Sequence, residues 1–459
     1  MDQKYEGVLE KEVGEIEELL SHYAYSEALD RLEKMHPIDI AELIFKLPES
    51  DQGTIIQILP WEIASEVLEE VNPETFNSLI KLFTLEQRRT VMDQMADDDI
   101  VDILSELPED RREELISLLD AASAQGVKEL LVYKDDSAGG IMTKDFVVLD
   151  KDMTTGEAIE VLRETAPDAQ TIYYVFVVDH SGVLVGVVSL RELIVAKPNK
   201  RVEAIMDDKV IFVQVDDDQE NVAKVVSKYD LLAVPVVDSL GRITGIVTVD
   251  DIIDVIEEEA TEDILKFAGS SEAEYADEDG IPQRISNSVR ARLPWLIITI
   301  FGGLFSAQII KSFQYVLDAN TTIALFMPVL AGMGGNVGTQ SSTLTVRSIA
   351  MGQIQGRGVL RTIIHEVSVG LIVGLVSALI AGVAAVILNG DMVLAIIVGL
   401  AMWANMVTAA TVGTIVPLVF RRFGIDPAVA SAPFITTTID ITGMTIYYTM
   451  ASVMIFRLL

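Results

Sequence analysis

The segment MVLAIIVGLAMWANMVTAATVGTIVPLVF, residues 392–420, carries no charged side chain from end to end. A helix needs about 20 apolar residues to cross a bilayer, and this run exceeds that length. Four further runs are equally free of charge, except that Asp440 interrupts the last one. They occupy residues 293–310, 319–346, 367–390 and 427–456. The sequence therefore predicts a membrane domain with five helical spans over residues 281–459. The spans are placed at about 293–316, 320–346, 362–388, 392–420 and 429–456.

Charge divides the chain into two parts. Residues 1–280 hold 24 Lys and Arg against 65 Asp and Glu, whereas residues 281–459 hold 10 against 5. Dense carboxylate needs positive charge nearby, and the chain supplies too few basic side chains. A divalent cation is the natural partner, and a solvated acidic face is the alternative. Nucleic acid is not expected as a partner.

The loops between the spans predict an orientation. Basic residues lie before the first span, between the second and third, and after the fourth, whereas the other two loops carry Asp318 and Asp391. By the positive-inside rule, the N-terminal part is cytoplasmic and the C-terminus is outside a cell membrane that the chain crosses several times. The basic residues are Arg290, Arg292, Arg347, Arg357, Arg361, Arg421 and Arg422. Residues 1–20 contain no apolar stretch typical of a signal peptide. The chain has no cysteine, which excludes disulfides and thiolate metal sites.

Residues 1–136 have apolar side chains at helical spacing and almost no strand signal. The segment IDIAELIFKLP at 38–48 returns sixty residues later as DDIVDILSELP at 98–108. Helices are expected to start at Asp39, Pro73 and Asp99. Pro48, Pro60 and Pro108 are expected between helices. Short repeated helices of this kind predict an all-α superhelical domain.

A second repeat covers residues 137–200 and 201–260. Each copy is predicted to run strand, helix, strand, Asp-x-x-Gly turn, strand, helix, with turns at 179–182 and 238–241. This pattern resembles a tandem pair of CBS domains, which are α/β regulatory modules that bind adenosine nucleotides or cations. The ribose-binding pattern of that family is present at Thr248 and Asp251 and in weaker form at Ser189 and Glu192, so ATP is a candidate ligand.

An acidic helix and linker follow at residues 250–280. Carboxylates recur on this helix at three- and four-residue spacing, which destabilises an isolated helix. They include Asp251, Asp254, Glu258, Glu262 and Asp263. Bound cations would compensate the repulsion. Any motion of the CBS pair must reach the membrane domain through this connecting helix.

Polar residues within the predicted spans gather in three places. The second span contains PVLAGMGGNVGTQSS at 328–342, the fourth contains Asn405, Thr408 and Thr411, and the fifth places Thr436, Asp440 and Gly443 on one helical face. Glycine and threonine in spans usually serve helix packing. Asp440 differs, because a carboxylate inside a span costs at least about 2.5 kcal/mol and is functional by default.

The membrane segment resembles the MgtE magnesium channels in the run at 328–340, in Asp426-Pro427-Ala428 and in the pattern from Pro433 to Asp440 and Gly443. The order of domains is also that of the family. The resemblance implies a homodimeric Mg²⁺ channel that is closed by cytoplasmic Mg²⁺. It also implies that Asp440, with Thr436 and Gly443, guards the pore and that Asn336 lies near the gate.

The resemblance further implies regulatory Mg²⁺ sites, all at acidic positions of this chain. They fall on Glu66, Asp98, Asp102, Asp218, Glu220, Asp230, Asp251, Asp254, Glu259, Glu262 and Asp263. Two departures lie near the ion path, where Ala432 and Thr339 replace asparagines that relatives can carry. Leu231 stands where an ATP-responsive relative can use an aromatic residue.

Mg²⁺ dehydrates reluctantly, so one or two carboxylates should hold it partly hydrated. Two Asp440 side chains facing each other across a dimer axis would supply them. A secondary divalent-cation carrier remains the alternative, although no inverted repeat is evident. An enzyme is not expected, because His22, His36, His180 and His365 form no catalytic or zinc-binding pattern. A purely structural or signalling membrane protein would leave Asp440 unexplained.

Overall fold

The computed structural model describes residues 2–165, 171–271, 281–354, 356 and 358–458. These residues form two compact units, Met1–Glu257 and Glu258–Leu459. Arg357 of the predicted basic loop and most of the linker before residue 281 lie outside the described residues.

Within residues 2–136, all of which the structure describes, ten helices form the N-terminal part of the first unit. Their bounds are α1 Asp2–Ser21, α2 Tyr25–Leu32, α3 Pro37–Lys46, α4 Glu49–Ile58, α5 Trp61–Glu69, α6 Pro73–Ile80, α7 Leu85–Met92, α8 Asp97–Glu106, α9 Glu109–Ile116 and α10 Ala121–Leu130. The sequence repeat coincides with α3 and α8, and its equivalent apolar positions are buried in both copies, at Ile40 and Ile44 and at Ile100 and Leu104. The superhelical arrangement stays a prediction.

Prolines mark the helix starts. Pro48, Pro60 and Pro108 each immediately precede a helix, as expected for residues that cannot donate a backbone hydrogen bond. The predicted start at Pro73 is confirmed, whereas α3 and α8 begin two residues before Asp39 and Asp99. Pro37 explains the first shift, because its fixed φ suits the first helical position. Acidic side chains at the start of α8 complement the helix dipole and explain the second.

The predicted α/β repeat is present in two copies. Each copy contains a three-stranded sheet in which the first two strands are parallel and the last two antiparallel. The first copy comprises β1 Phe146–Asp150, α11 Thr155–Thr165, β2 Thr171–Val178, β3 Leu184–Ser189 and α12 Leu190–Val195. The second comprises β4 Val213–Gln214, α13 Gln219–Tyr229, β5 Ala233–Val237, β6 Ile243–Thr248 and α14 Val249–Ala268.

The two Asp-x-x-Gly turns have the same construction. Asp179 and Asp238 each accept two backbone N–H groups within their turn through Oδ1. Gly182 and Gly241 have φ values of +80° and +77°, a left-handed conformation that favours glycine. The turns therefore explain why the sequence repeats these residue types.

Six helices follow α14 in the described part of the second unit. They are α15 Ile281–Ser312, α16 Gln314–Ala319, α17 Met327–Ala350, α18 Gly358–Asn389, α19 Met392–Arg422 and α20 Ala432–Leu458, with a 3₁₀ segment at Thr321–Phe326 before α17. Among the described residues, four segments are long and apolar enough to cross a membrane: Arg284–Ser312, Thr321–Ala350, Gly358–Asn389 and Met392–Arg422. The fifth predicted span corresponds to α20, which is not among those four, so the count of five spans stays a prediction.

Glycines let α18 and α19 pack closely. A Cβ atom at Gly370 would lie 2.9 Å from Cβ of Ala410, and one at Gly374 would lie 3.0 Å from Cβ of Met406. The Trp403 indole N–H also donates to the carbonyl of Leu371 at 3.2 Å. Small residues therefore set the distance between these helices, as is typical of membrane helix pairs.

Candidate metal and ion sites

Asp98 and Asp99 of α8 interact electrostatically with Asp251 at the start of α14, and these residues with Glu69 are called the acidic cluster. Asp98 is partly buried, and its Oδ1 accepts a hydrogen bond from the Thr143 hydroxyl at 3.1 Å. Burial, followed by repulsion from Asp99 and Asp251, raises the pKa of Asp98 to about 8. The ionised form of this carboxyl group therefore needs a positive partner.

The neighbours of Asp98 are perturbed in the same direction. Burial and the charge of Asp99 raise the pKa of Glu69 to about 8. Burial and the charges of Asp251 and Glu70 raise the pKa of Asp99 to about 6. Burial also raises the pKa of Asp251. These carboxyl groups repel one another electrostatically, and carboxylate oxygens are the ligands that a hard divalent cation prefers.

Some members of this cluster were not predicted from the sequence. Glu69 and Asp99 are adjacent in sequence to other acidic residues, and only their burial in the fold distinguishes them. Asp97, at the start of α8, has a pKa raised to about 6 by burial and by Asp145. The acidic run at residues 97–99 was the sequence signal for a cation site here, but the resemblance to the MgtE channels implied only Asp98.

The remaining predicted regulatory residues are spread over both units. Glu66, Asp102, Asp218, Asp230 and Asp254 are exposed in the first unit. Asp218 caps α13 by accepting from the N–H of Glu220 at 3.0 Å, and Glu220 pairs with Lys224 at 2.6 Å. Asp230 ends α13 in a left-handed conformation. Glu259, Glu262 and Asp263 belong to the second unit, where Glu262 pairs with Lys266.

The candidate nucleotide residues are engaged at the starts of two helices. The Thr248 hydroxyl donates to Asp251 Oδ2 at 2.5 Å. Ser189 and Glu192 form a reciprocal capping box at the start of α12, with the Ser189 hydroxyl 2.7 Å from Glu192 Oε2. The two copies therefore have equivalent geometry at this position, although only the second carries the Thr-x-x-Asp pattern.

The first CBS copy contains a group of three side chains whose ligand atoms are close enough to hold a metal ion: Asp150, Asp152 and His180. His180 Nδ1 lies 2.8 Å from Asp150 Oδ2, and its Nε2 lies 3.1 Å from Asp152 Oδ2. Arg201 pairs with the other oxygen of Asp152 at 2.9 Å. These contacts satisfy the hydrogen-bonding and charged atoms of the group, so its arrangement does not require a bound metal ion.

Asp440 lies half-buried on α20, one turn after Thr436 and one turn before Gly443. The Thr436 hydroxyl is bonded to its own helix, at 2.9 Å from the carbonyl of Ala432. Its methyl group faces α17, because a Cβ atom at Gly335 would lie 3.3 Å from Thr436 Cγ2. Asn336, the next residue of α17, is exposed.

The glycine-rich run of α17 packs against α19 and α20. A Cβ atom at Gly338 would lie 1.9 Å from Cδ1 of Ile439, and one at Gly413 would lie 2.3 Å from the carbonyl oxygen of Gly338. Larger residues at these positions would separate the helices. The run therefore holds the helix bearing Asn336 close to the helix bearing Asp440.

Glu366 is a carboxylate on α18, one of the helices long and apolar enough to cross a membrane, and the residue is only 6% exposed. Its Oε2 accepts from the Ser341 hydroxyl of α17 at 2.8 Å, and His365 Nδ1 lies 3.1 Å from Oε1. The uncharged run at 367–390 begins just after this residue, so the sequence pattern did not single it out. Its hydrogen bond ties α18 to α17.

The end of α14 contacts the loop before α20 within the second unit. Lys266 Nζ lies 2.6 Å from Glu262 and 3.0 Å from Asp426 Oδ2. Gly269, which follows α14 with φ of +76°, lies against Trp295 and Pro433. Lys266 and Gly269 therefore fix the C-terminal part of the connecting helix to α15, to α20 and to the loop before α20.

Comparison with protein families matches three kinds of domain along the chain. Residues 327–450 match the divalent cation transporter domain MgtE, and residues 35–136 match the MgtE intracellular N domain. Residues 138–199 and 202–258 match CBS domains.

Relatives and solved structures agree with these matches. The magnesium transporter MgtE of Thermus thermophilus is 38% identical over 92% of this chain and 94% of the relative. That of Bacillus subtilis is 33% identical over 93% of this chain and 94% of the relative. The solved cytosolic domain of the Mg²⁺ channel MgtE in complex with ATP is 39% identical, with a TM-score of 0.51, and covers 53% of this chain and 99% of that chain.

These relatives are named as transporters rather than enzymes, which agrees with the expectation from the sequence. The matches extend from the helical N-terminal domain through the CBS pair to the membrane helices. The chain therefore belongs to the MgtE family of magnesium transporters.

Proposed function

We propose that this protein is a Mg²⁺-selective channel whose acidic cytoplasmic domains sense internal Mg²⁺ and close the pore. Family membership supports magnesium as the transported ion, and one similar structure is described as part of a Mg²⁺ channel. The acidic cluster around Asp98, Asp99 and Asp251 is the observation that carries the proposed regulation.

In this proposal Asp440 holds the permeating ion. A homodimer would bring two copies of α20 together, so that two carboxylates face one partly hydrated Mg²⁺ ion. Thr436 would line the ion path, Gly443 would let α20 pack against the buried Asn405 of α19, and Asn336 would lie near the gate. The half-buried position of Asp440 beside the close packing of α17 and α20 supports this assignment.

Regulatory Mg²⁺ would bind between carboxyl groups that repel one another without it. The cluster is suited to such an ion, because burial and like charge disfavour its fully ionised form. Asp98, Asp99, Asp251 and Glu69 would hold the ion, which supplies positive charge and octahedral oxygen coordination. The other carboxylates along α14, including Asp254, Glu259, Glu262 and Asp263, would supply further oxygen ligands to the sensor.

The protein would reside in the cell membrane with its acidic domains in the cytoplasm and its C-terminus outside. Basic residues before the first span and in alternate loops support this orientation. Internal Mg²⁺ would then reach the regulatory sites directly.

ATP is proposed as a further ligand of the CBS pair. The similarity to a cytosolic domain solved with ATP and the Thr248–Asp251 pair support this assignment. Because Asp251 also belongs to the acidic cluster, a bound nucleotide would alter the cation site. Calorimetric titration of the protein with ATP, compared with its Thr248→Val variant, tests the assignment.

Single-channel recording distinguishes the channel from a secondary carrier. The purified protein in a planar bilayer should give discrete Mg²⁺ current steps that disappear when Mg²⁺ is added on the cytoplasmic side. Slow, saturable flux without current steps, or flux that requires a counter-ion, would favour the carrier.

A further inference from the structure

Asn405 of α19 places a polar group where three membrane helices meet. The residue is 1% exposed, and its Nδ2 donates to the carbonyl oxygen of Leu330 on α17 at 2.8 Å. Its Oδ1 has no hydrogen-bond partner among the described residues. Burying an unpaired amide oxygen is unfavourable, so simple filling of space does not explain an asparagine here.

The Asn405 carboxamide lies between two glycines on different helices. A Cβ atom at Gly334 of α17 would lie 2.6 Å from Nδ2, and one at Gly443 of α20 would lie 2.6 Å from Oδ1. Any side chain at either position would have to displace the amide or the helix. Because the amide contacts both helices, it fixes the separation of α17 and α20.

Both glycines are close in sequence to the proposed ion path. Gly443 lies one helical turn after Asp440, and Gly334 lies two residues before Asn336. A shift of α20 at Gly443 would therefore move Asp440 relative to α17. We propose that Asn405 is a positioning residue for ion selectivity, because it sets the distance between Asp440 and the helix that carries Asn336.

This inference rests on the proposed channel function, and the Mg²⁺/Na⁺ permeability ratio from reversal potentials tests it. The ratio does not depend on how much protein is folded, so reduced stability alone does not change it. Asn405→Leu, which keeps the bulk but removes the donor, should lower the ratio by about tenfold, within the range for residues that act through others. The permeability ratio should fall less in Asn405→Asp, because a buried Asp is protonated and can still donate a hydrogen bond to the carbonyl of Leu330.

A double-mutant cycle with Gly443 gives the sharper test. Gly443→Ala should lower the ratio because its Cβ would collide with Oδ1 of Asn405. In an Asn405→Ala background the collision is removed, so the same change should cause no further loss. Additive losses would show that the two residues act independently and would overturn the inference.

Thr414→Val is the matched control. Thr414 is buried on the same helix, but its hydroxyl bonds within α19, to the carbonyl of Ala410 at 2.7 Å. Its removal should leave the ratio unchanged. Absence of Mg²⁺ current in the wild-type protein would instead contradict the proposed function. Normal ratios in Asn405→Leu and Asn405→Asp, beside a conducting wild type, would overturn this inference alone.

Discussion

Asp440 is the residue on which the proposed permeation depends. It lies half-buried on α20, and glycines of α17 allow the two helices to pack closely beside it. A protonated Asp that only packed against a neighbouring helix would have the same surroundings. The two interpretations differ in whether the charge is needed.

Asp440→Asn separates them, because it keeps the shape and hydrogen-bonding groups but removes the charge. We expect a folded dimer with little or no selective Mg²⁺ current, since a neutral pair of side chains no longer concentrates a hydrated dication. Size-exclusion chromatography checks assembly, and bilayer recording checks conduction. Normal Mg²⁺-selective current through this variant would mean that Asp440 is a packing residue.

Single residues were predicted from the sequence to different extents. Asp440 stood out because it interrupts an apolar run, whereas Glu366 was missed because it borders one. The burial of Glu366 depends on Ser341 of another helix, which sequence spacing does not reveal. Asn405 was visible as a polar residue in a span, but its position between Gly334 and Gly443 required the packing of three helices.

At the scale of elements, the approach of α8 to the start of α14 creates the acidic cluster. Periodicity and turn residues predicted the CBS strands and the repeated helices well, because those signals are local. The meeting of Asp98 and Asp99 with Asp251 was not available from local signals, since these residues are about 150 positions apart. The resemblance to a known family named Asp98 and Asp251 but not Asp99 or Glu69.

The raised pKa values predict that Mg²⁺ and protons compete at this cluster. In the folded structure, Asp98 and Glu69 retain protons up to about pH 8, whereas carboxyl groups exposed to solvent lose them near pH 4. Without Mg²⁺, the contribution of these two groups to the stability of the folded cluster is therefore present below pH 4 and is lost as pH rises through 8.

Protection of the full-length protein from proteolysis measures this competition. At constant ionic strength, the Mg²⁺ concentration for half-maximal protection should fall as pH rises from 6 to 8, approaching about tenfold per pH unit for each proton displaced. Asp98→Asn should make this dependence weaker. A Mg²⁺ requirement that does not change with pH would show that these carboxyl groups do not bind the ion.

At the scale of the whole molecule, the division of charge along the sequence separates an acidic part from an apolar one. The change in composition lies near Gly280, but the two compact units divide after Glu257, inside α14. The difference has a physical cause, because Lys266 and Gly269 at the end of that helix pack with Asp426, Trp295 and Pro433. The amino-acid composition shows where acidic sequence gives way to apolar sequence, whereas the packing of side chains determines to which unit a helix belongs.

The connecting helix α14 contributes residues to both units. Asp251 and Asp254 lie in its first part, and Glu259 lies in its second. Closure by internal Mg²⁺ should need these carboxylates, whereas conduction should not. The triple variant Asp251→Asn, Asp254→Asn, Glu259→Gln removes three charges and keeps the side-chain shapes. Asp110→Asn, Glu113→Gln, Glu164→Gln removes the same charge from exposed positions outside the cluster and serves as the control.

The most direct test is the open probability of single channels as a function of cytoplasmic Mg²⁺ concentration. The wild type and the control variant should close over the same concentration range. The triple variant should have normal unitary current but should need at least about tenfold more Mg²⁺ to close, as expected when several charged ligands are removed. Closure of the triple variant at the wild-type Mg²⁺ concentration would contradict the account.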